Sequence, residues 1–140
     1  MVLADTGFWV ALINRRDRHH SRAVAVMDEL EEGLITTWPV ATETCHLLGR
    51  CLGHLAQTTF MSALGNGDVE VAPLDTTHIG RLIELMYQYR DLPMDLADAS
   101  LVLLAESLGH GRILSTDRRD FRTYRWKQHH PFHNLLLPDG

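Results

Sequence analysis

From Asp95 to Leu108 the chain offers almost no polar face. Leu96, Ala97, Ala99, Leu101, Val102, Leu103, Leu104, Ala105 and Leu108 surround the helix that this segment predicts, and a helix apolar nearly all round must be buried on most sides. The rest of the sequence supplies partners for it. Met1–Ala4, Leu34–Thr37, Val69–Leu74, Arg112–Ser115 and Phe132–Leu137 read as strands. Between them, His20, Ala23, Val24, Met27 and Leu30 recur at helical spacing and stop at Gly33. Val40, Thr44, Leu47, Leu48 and Cys51 make a second stripe that runs to Gly53. Leu55–Leu64 is a third helix, closed by Gly65-Asn66-Gly67, and Ile79, Leu82, Ile83, Leu85 and Met86 form a fourth that ends before Pro93. Strands alternating with helices imply a parallel sheet covered on both faces, so the expected fold class is α/β in three α/β/α layers. With 140 residues, 45% of them apolar, and no repeat or linker, residues 1–140 are expected to form one domain.

The two cysteines, Cys45 and Cys51, match no metal-ligand spacing and read as buried thiols of a reducing compartment. The apolar start is interrupted by Asp5, and its basic residues follow rather than precede it. With no stretch long enough to span a bilayer, the expectation is a cytoplasmic protein with no membrane contact. The formal charge of −5 argues against simple electrostatic binding of nucleic acid, since neutralising phosphates drives such binding. The cations are bunched, however: Arg15, Arg16, Arg18 and Arg22 near the start, then Arg118, Arg119, Arg122, Arg125 and Lys127 near the end. Solvated faces and a phosphate-binding patch both remain open; Arg15, Arg16, Arg118 and Arg119 are the candidates for the patch.

Two strands end in aspartate, at Asp5 and Asp117. In open parallel sheets, ligands bind beyond the carboxyl ends of the strands, where the strand order reverses. Each acid also has an ordinary use. Asp5 fits the cap of a helix beginning near Phe8, and Glu43 sits in a helical first turn, where the dipole favours an acid. Asp95 fits a helix N-cap with Asp98 three residues on, and Asp117 fits the cap of a short turn. Taken together, converging carboxylates would repel one another unless paired or bridged by a cation, and hard oxygen donors favour Mg²⁺ or Mn²⁺. Coincident caps and a carboxylate metal site both stand at this point.

The segments Leu-Ala-Asp5-Thr-Gly-Phe-Trp, Ala-Thr-Glu43-Thr, Met-Asp95-Leu-Ala-Asp98-Ala and Ser-Thr-Asp117-Arg-Arg-Asp120-Phe resemble, in that order, the acidic motifs of PIN-domain nucleases, closest to the VapC-like toxin branch. The resemblance runs from about Val2 to Leu137. It implies a five-stranded parallel sheet of order 3-2-1-4-5, with Asp5, Glu43, Asp98 and Asp117 as metal ligands and catalytic residues for one or two Mg²⁺ or Mn²⁺ ions. Asp95 and Asp120 would stand behind those ligands, and Thr6, Ser115 and Thr116 would orient ligands or water or simply cap turns. The implied reaction is hydrolysis of RNA to 5′-phosphate and 3′-hydroxyl ends. The implied partners are RNA, a small antitoxin whose tail enters the acidic groove, and a second copy in a homodimer. Setting aside those six acids leaves 12 against 13 cations, a nearly neutral remaining surface.

Four other readings compete. A response-regulator receiver needs an acidic pair after the first strand and a later lysine, but Asp5 has no acidic neighbour and the only lysine is Lys127. A haloacid-dehalogenase phosphatase wants a second aspartate where Gly7 stands. A non-catalytic module binding RNA or protein, or a stand-alone RNA-processing enzyme, remains as the alternative. The adjacent histidine pairs 19–20 and 129–130 are poor chelates, because neighbours on a helix point about 100° apart. His46 is read as structural, and Trp9, Trp38 and Trp126 as core or interface.

Overall fold

The computed structural model describes residues 1–138. Strand β1 (Val2–Ala4) is the middle of a five-stranded parallel sheet, and all three of its residues are fully buried. β2 (Leu34–Thr37) pairs on one side with register Val2↔Leu34, and β3 (Val69–Ala72) lies beyond it. β4 (Arg112–Leu114) pairs on the other side with register Leu3↔Ile113 and Ala4↔Leu114. The last sheet strand is β7 (His133–Asn134), joined to β4 through Ile113↔Asn134. The order β3-β2-β1-β4-β7 is the expected 3-2-1-4-5 arrangement. Its fifth strand is seventh in the chain because a small antiparallel ribbon, β5 (Arg125–Trp126) with β6 (His130–Pro131), precedes it.

Helices α1 (Thr6–Ile13) and α2 (His20–Glu29) connect β1 to β2; α3 (Trp38–Cys51) and α4 (His54–Gly65) connect β2 to β3. After β3, a 3-10 turn (Thr76–His78) leads into α5 (Ile79–Gln88) and α6 (Leu96–Leu108), which return the chain across β1 to β4. Right-handed crossovers put α1–α4 on one face as the chain steps outward and α5–α6 on the other as it comes back. The direction of travel reverses between β1 and β4. Helix α6 is buried as its composition requires: Ala99, Leu101, Val102 and Ala105 have no exposed surface. Each fully buried leucine or valine there contributes about 1.5–3 kcal/mol of hydrophobic stabilisation.

Several expectations need correction. The first helix starts at Thr6 rather than near Phe8, because Asp5 caps it directly by accepting from the Thr6 N–H at 2.7 Å. The turn expected after Asp117 is a short helix, α7 (Arg118–Thr123). The last strand is far shorter than Phe132–Leu137, since the carbonyls of Leu135 and Leu136 accept from Arg22 instead of continuing the ladder. Arg22 is therefore occupied with the chain's own C-terminal segment. Cys45 is partly buried, but Cys51 is exposed. Trp9 packs in the core against Phe8 and Phe60, whereas Trp38 is half exposed and Trp126 stacks on His130. Among the described residues, no helix is long and apolar enough to cross a membrane.

One close approach fixes how α1 meets the end of β4. A Cβ placed on Gly7 would fall 1.8 Å from Thr116 Oγ1 and 3.0 Å from Thr116 Cβ. Only glycine lets the first turn of α1 lie against the residue that precedes Asp117. Gly7→Ala is expected to destabilise the protein by about 1–3 kcal/mol, as overpacking does, and Thr116→Ala in the same chain to recover most of the loss. Equal melting temperatures for wild type and Gly7→Ala would contradict this contact.

Candidate active site

Asp5 follows the last residue of β1, at the point where the strand order reverses. The residue is 8% exposed, and its carboxylate accepts from the Thr6 N–H through one oxygen and from Ser115 Oγ, at 2.9 Å, through the other. Burial pushes its pKa up to about 6 against the pull of those two hydrogen bonds, and the negative charges of Glu43 and Asp117 push the same way. Ser115 also accepts from the Asp117 N–H at 2.9 Å, so one buried hydroxyl joins the two strand ends.

Asp95 and Asp98 divide the work at the start of α6. Asp95 is the N-cap, accepting from the Asp98 N–H at 2.8 Å. Asp98 does not complete a capping box. Its carboxylate instead accepts from the Tyr124 hydroxyl at 3.0 Å. Burial raises the Asp98 pKa to about 8, with further contributions from Asp95, Asp5 and Asp117 that outweigh the Tyr124 hydrogen bond. Asp117 is the N-cap of α7, accepting from the Asp120 N–H at 3.1 Å. Asp120 is raised to about 6, first by its burial and then by Asp117. Glu43 lies one turn into α3, a helix started by the Thr37 side-chain cap and Pro39. Its pKa is raised by burial and by Asp95.

A single cleft of about 590 Å³ is lined by all six expected acids, Asp5, Glu43, Asp95, Asp98, Asp117 and Asp120, together with Thr6, Thr116, Asp17, Arg18 and His19. Thr6 has a bracing part: its hydroxyl donates to the Val40 carbonyl at 3.4 Å and accepts from Thr44 at 3.4 Å, which ties α1 to the helix carrying Glu43. Thr116 fills the space over Gly7. The basic candidates lie on separate parts of the surface. Arg15 and Arg16 are exposed on the loop before α2 without lining the cleft, while their neighbours Arg18 and His19 do line it. Arg118 faces another pocket beside Phe132, and Arg119 is close enough to lower the Asp120 pKa. His46 is exposed and lies outside the cleft lining. Tyr124 and His19 escaped sequence reasoning, since nothing local to either residue marks its spatial neighbours.

Among the described residues, no group of three or more His, Cys, Asp or Glu side chains is already arranged to hold a metal ion. The acids share a cleft without being closed into a ready-made chelate, as expected of like charges that repel.

The sequence matches the family model of the PIN domain over residues 2–127. The chain belongs to the PIN-domain family. Among curated proteins, Ribonuclease VapC26 of Mycobacterium tuberculosis is 25% identical over 124 residues, covering 89% of this chain and 92% of that protein. Among solved structures, VapC20 of Mycobacterium tuberculosis, described as a sarcin-ricin loop cleaving toxin, superposes with a TM-score of 0.79 at 23% identity. The match covers 85% of this chain and 92% of that one. The structural match shows that the PIN fold extends over most of the described chain.

The raised carboxylate pKa values give a stability prediction with a definite sign. Between pH 4 and about 8 the folded state retains a proton on Asp98 that the unfolded chain releases, so stability is lost as pH rises through that window. Asp5 and Asp120 add to the loss up to about pH 6. In EDTA, the melting temperature is expected to fall from pH 5.5 to pH 8.5. Asp98→Asn is expected to flatten that fall and to melt higher than wild type at pH 8. Parallel wild-type and variant curves would show that Asp98 is not under this strain.

Proposed function

We propose that this protein is a Mg²⁺- or Mn²⁺-dependent endoribonuclease, the toxin of a type II toxin–antitoxin pair, whose centre is built from Asp5, Glu43, Asp98 and Asp117. The observation that carries the reading is the convergence of these four carboxylates in one cleft at the carboxyl ends of β1 and β4. The donor set fits such an ion. It consists of hard oxygen ligands with no thiolate, and Asp5 and Asp98, raised first by burial and then by neighbouring carboxylates, carry charge that a bound divalent cation would relieve.

A divalent cation held by Asp5, Glu43, Asp98 and Asp117 would supply Lewis acidity to the phosphodiester and lower the pKa of water bound there. The protein's own part is placement. Ser115 aims the Asp5 carboxylate, Tyr124 holds Asp98, and the caps made by Asp95 and Asp117 fix the first turns of α6 and α7. Arg18 and His19 are the basic side chains lining the cleft, and they give an RNA phosphate a place to approach past the acids. Asp120 and Asp95 stand beside the four ligands and deepen the negative potential that draws a cation in.

The products of this reading are 5′-phosphate and 3′-hydroxyl ends. VapC20, which shares the fold, is described as cleaving the sarcin-ricin loop, and VapC26 is named a ribonuclease; ribosomal RNA is therefore the first substrate to offer. The reading also includes an antitoxin that occupies the acidic cleft and a homodimer. In support of the latter, Ile79, Ile83 and Tyr87 recur at four-residue spacing on α5 and are all exposed.

The test is cleavage of purified ribosomal RNA with Mg²⁺ or Mn²⁺. Asp5→Asn and Asp98→Asn are each expected to cost more than about a hundredfold in rate, since even the partners behind metal ligands are commonly worth 10–100-fold. EDTA is expected to abolish cleavage and added Mn²⁺ to restore it. Cleavage indifferent to EDTA and to both substitutions would overturn the proposal.

A further inference from the structure

Pairing along β7 ends where the acidic cleft begins. Its last main-chain rungs run from His133 N–H to the Gly111 carbonyl and from Leu135 N–H to the Ile113 carbonyl, both at 2.8 Å. Ser115 is the residue just beyond β4, and its backbone is paired by a side chain. Asn134 Oδ1 accepts from the Ser115 N–H at 3.2 Å, and Asn134 Nδ2 donates to the Ser115 carbonyl at 2.8 Å. One carboxamide thus replaces a rung of the sheet. The same Oδ1 accepts from the N–H groups of Leu136 and Leu137 at 3.1 and 3.3 Å, which pins the amide.

Ser115 is the residue whose orientation matters most at this edge. Its hydroxyl donates to Asp5 Oδ2 and accepts from the Asp117 N–H, both at 2.9 Å. Ser115 has no exposed surface, so water cannot readily replace these bonds. A rotation of its backbone would move the Asp5 carboxylate and the first turn of α7 together.

We propose that Asn134 is a positioning residue for the acidic centre, acting through Ser115 to set the orientation of Asp5 and the placement of Asp117. The inference rests on reading the cleft as a metal-dependent nuclease site. A purely structural asparagine, holding only the turn at Leu136 and Leu137, predicts something different, and two variants separate the cases. Asn134→Ala removes every bond. Asn134→Asp retains the acceptor for the Leu136 and Leu137 N–H groups but loses the donor to the Ser115 carbonyl. Its added negative charge would if anything attract a cation more strongly, so weaker cation binding by this variant has to come from misplaced ligands.

The experiment measures Mn²⁺ affinity by calorimetric titration, kcat and KM on RNA, and amide hydrogen exchange at Thr6 and Asp117. Both variants are expected to bind Mn²⁺ about ten- to a hundredfold more weakly, as loss of a ligand's supporting partner does. kcat should fall while KM for RNA stays within about twofold, the pattern for lost transition-state interactions. Ser115→Ala combined with Asn134→Ala should bind no more weakly than Ser115→Ala alone, because the two act in one chain of contacts. Wild-type Mn²⁺ affinity in Asn134→Asp, or additive losses in the double variant, would overturn the proposal. Should the wild type bind no Mn²⁺ and cleave no RNA, the nuclease reading fails by itself. Exchange then decides the positioning claim: faster exchange at Thr6 and Asp117 in both variants supports it, and unchanged exchange overturns it.

Discussion

Crowding of negative charge at the junction of β1 and β4 is the constraint that the rest of this structure serves. An aspartate at the end of a fully buried strand is costly to ionise, and Asp5 remains shifted up to about 6 even with two hydrogen-bond donors on its carboxylate. Glu43, Asp98 and Asp117 then arrive from three other elements, α3, α6 and the end of β4. What keeps them in place is a set of contacts that bring no positive charge to them. The Ser115 hydroxyl, the Tyr124 hydroxyl, the Asp95 cap and the Gly7–Thr116 contact position carboxylates without neutralising them. The contacts that hold these carboxylates supply them with no counter-charge, and that is a reason to regard the arrangement as a binding site rather than a stabilising network.

The basic residues divide along the same line. Arg22 holds the C-terminal segment, Arg125 donates to the carbonyls that end α7, and Arg81 forms a two-pronged pair with Glu106. Glu32 pairs with both Arg112 and the N-terminus, which together hold its carboxyl down to about 2. Much of the cationic charge thus maintains the fold. Clustering along the sequence said little about which arginines face the cleft. Arg18 lines the cleft, whereas Arg15 and Arg16, adjacent in sequence, do not.

The parts of the fold legible in the sequence were those whose pattern is local. The apolar run before Asp5, the all-apolar α6 and the strand before Asp117 each announce burial by composition, while the sheet order came only from the resemblance of the acidic motifs to the PIN family. Long-range pairing left no such mark. Phe132–Leu137 has the apolar character of a full strand, but its ladder ends where the Asn134 side chain takes Ser115 and Arg22, more than a hundred residues earlier, takes the carbonyls of Leu135 and Leu136. Tyr124 looks like one more core aromatic, and it does pack against Tyr89 and Phe121. Its hydroxyl reaching Asp98 is a property of the fold and not of its neighbours in sequence. The capping-box spacing at Asp95 and Asp98 was ambiguous for a similar reason. Only the fold shows that the second carboxylate turns to a tyrosine.

The central claim is that the converging acids form one cation site. Its most direct measurement is the anomalous scattering of crystals grown with Mn²⁺. The account predicts a single strong peak in the cleft, bonded to carboxylate oxygens of Asp5 and Asp98 and within reach of Asp117 and Glu43, and its disappearance in Asp98→Asn. A cleft without a peak at saturating Mn²⁺, or a peak that persists unchanged in that variant, would contradict it.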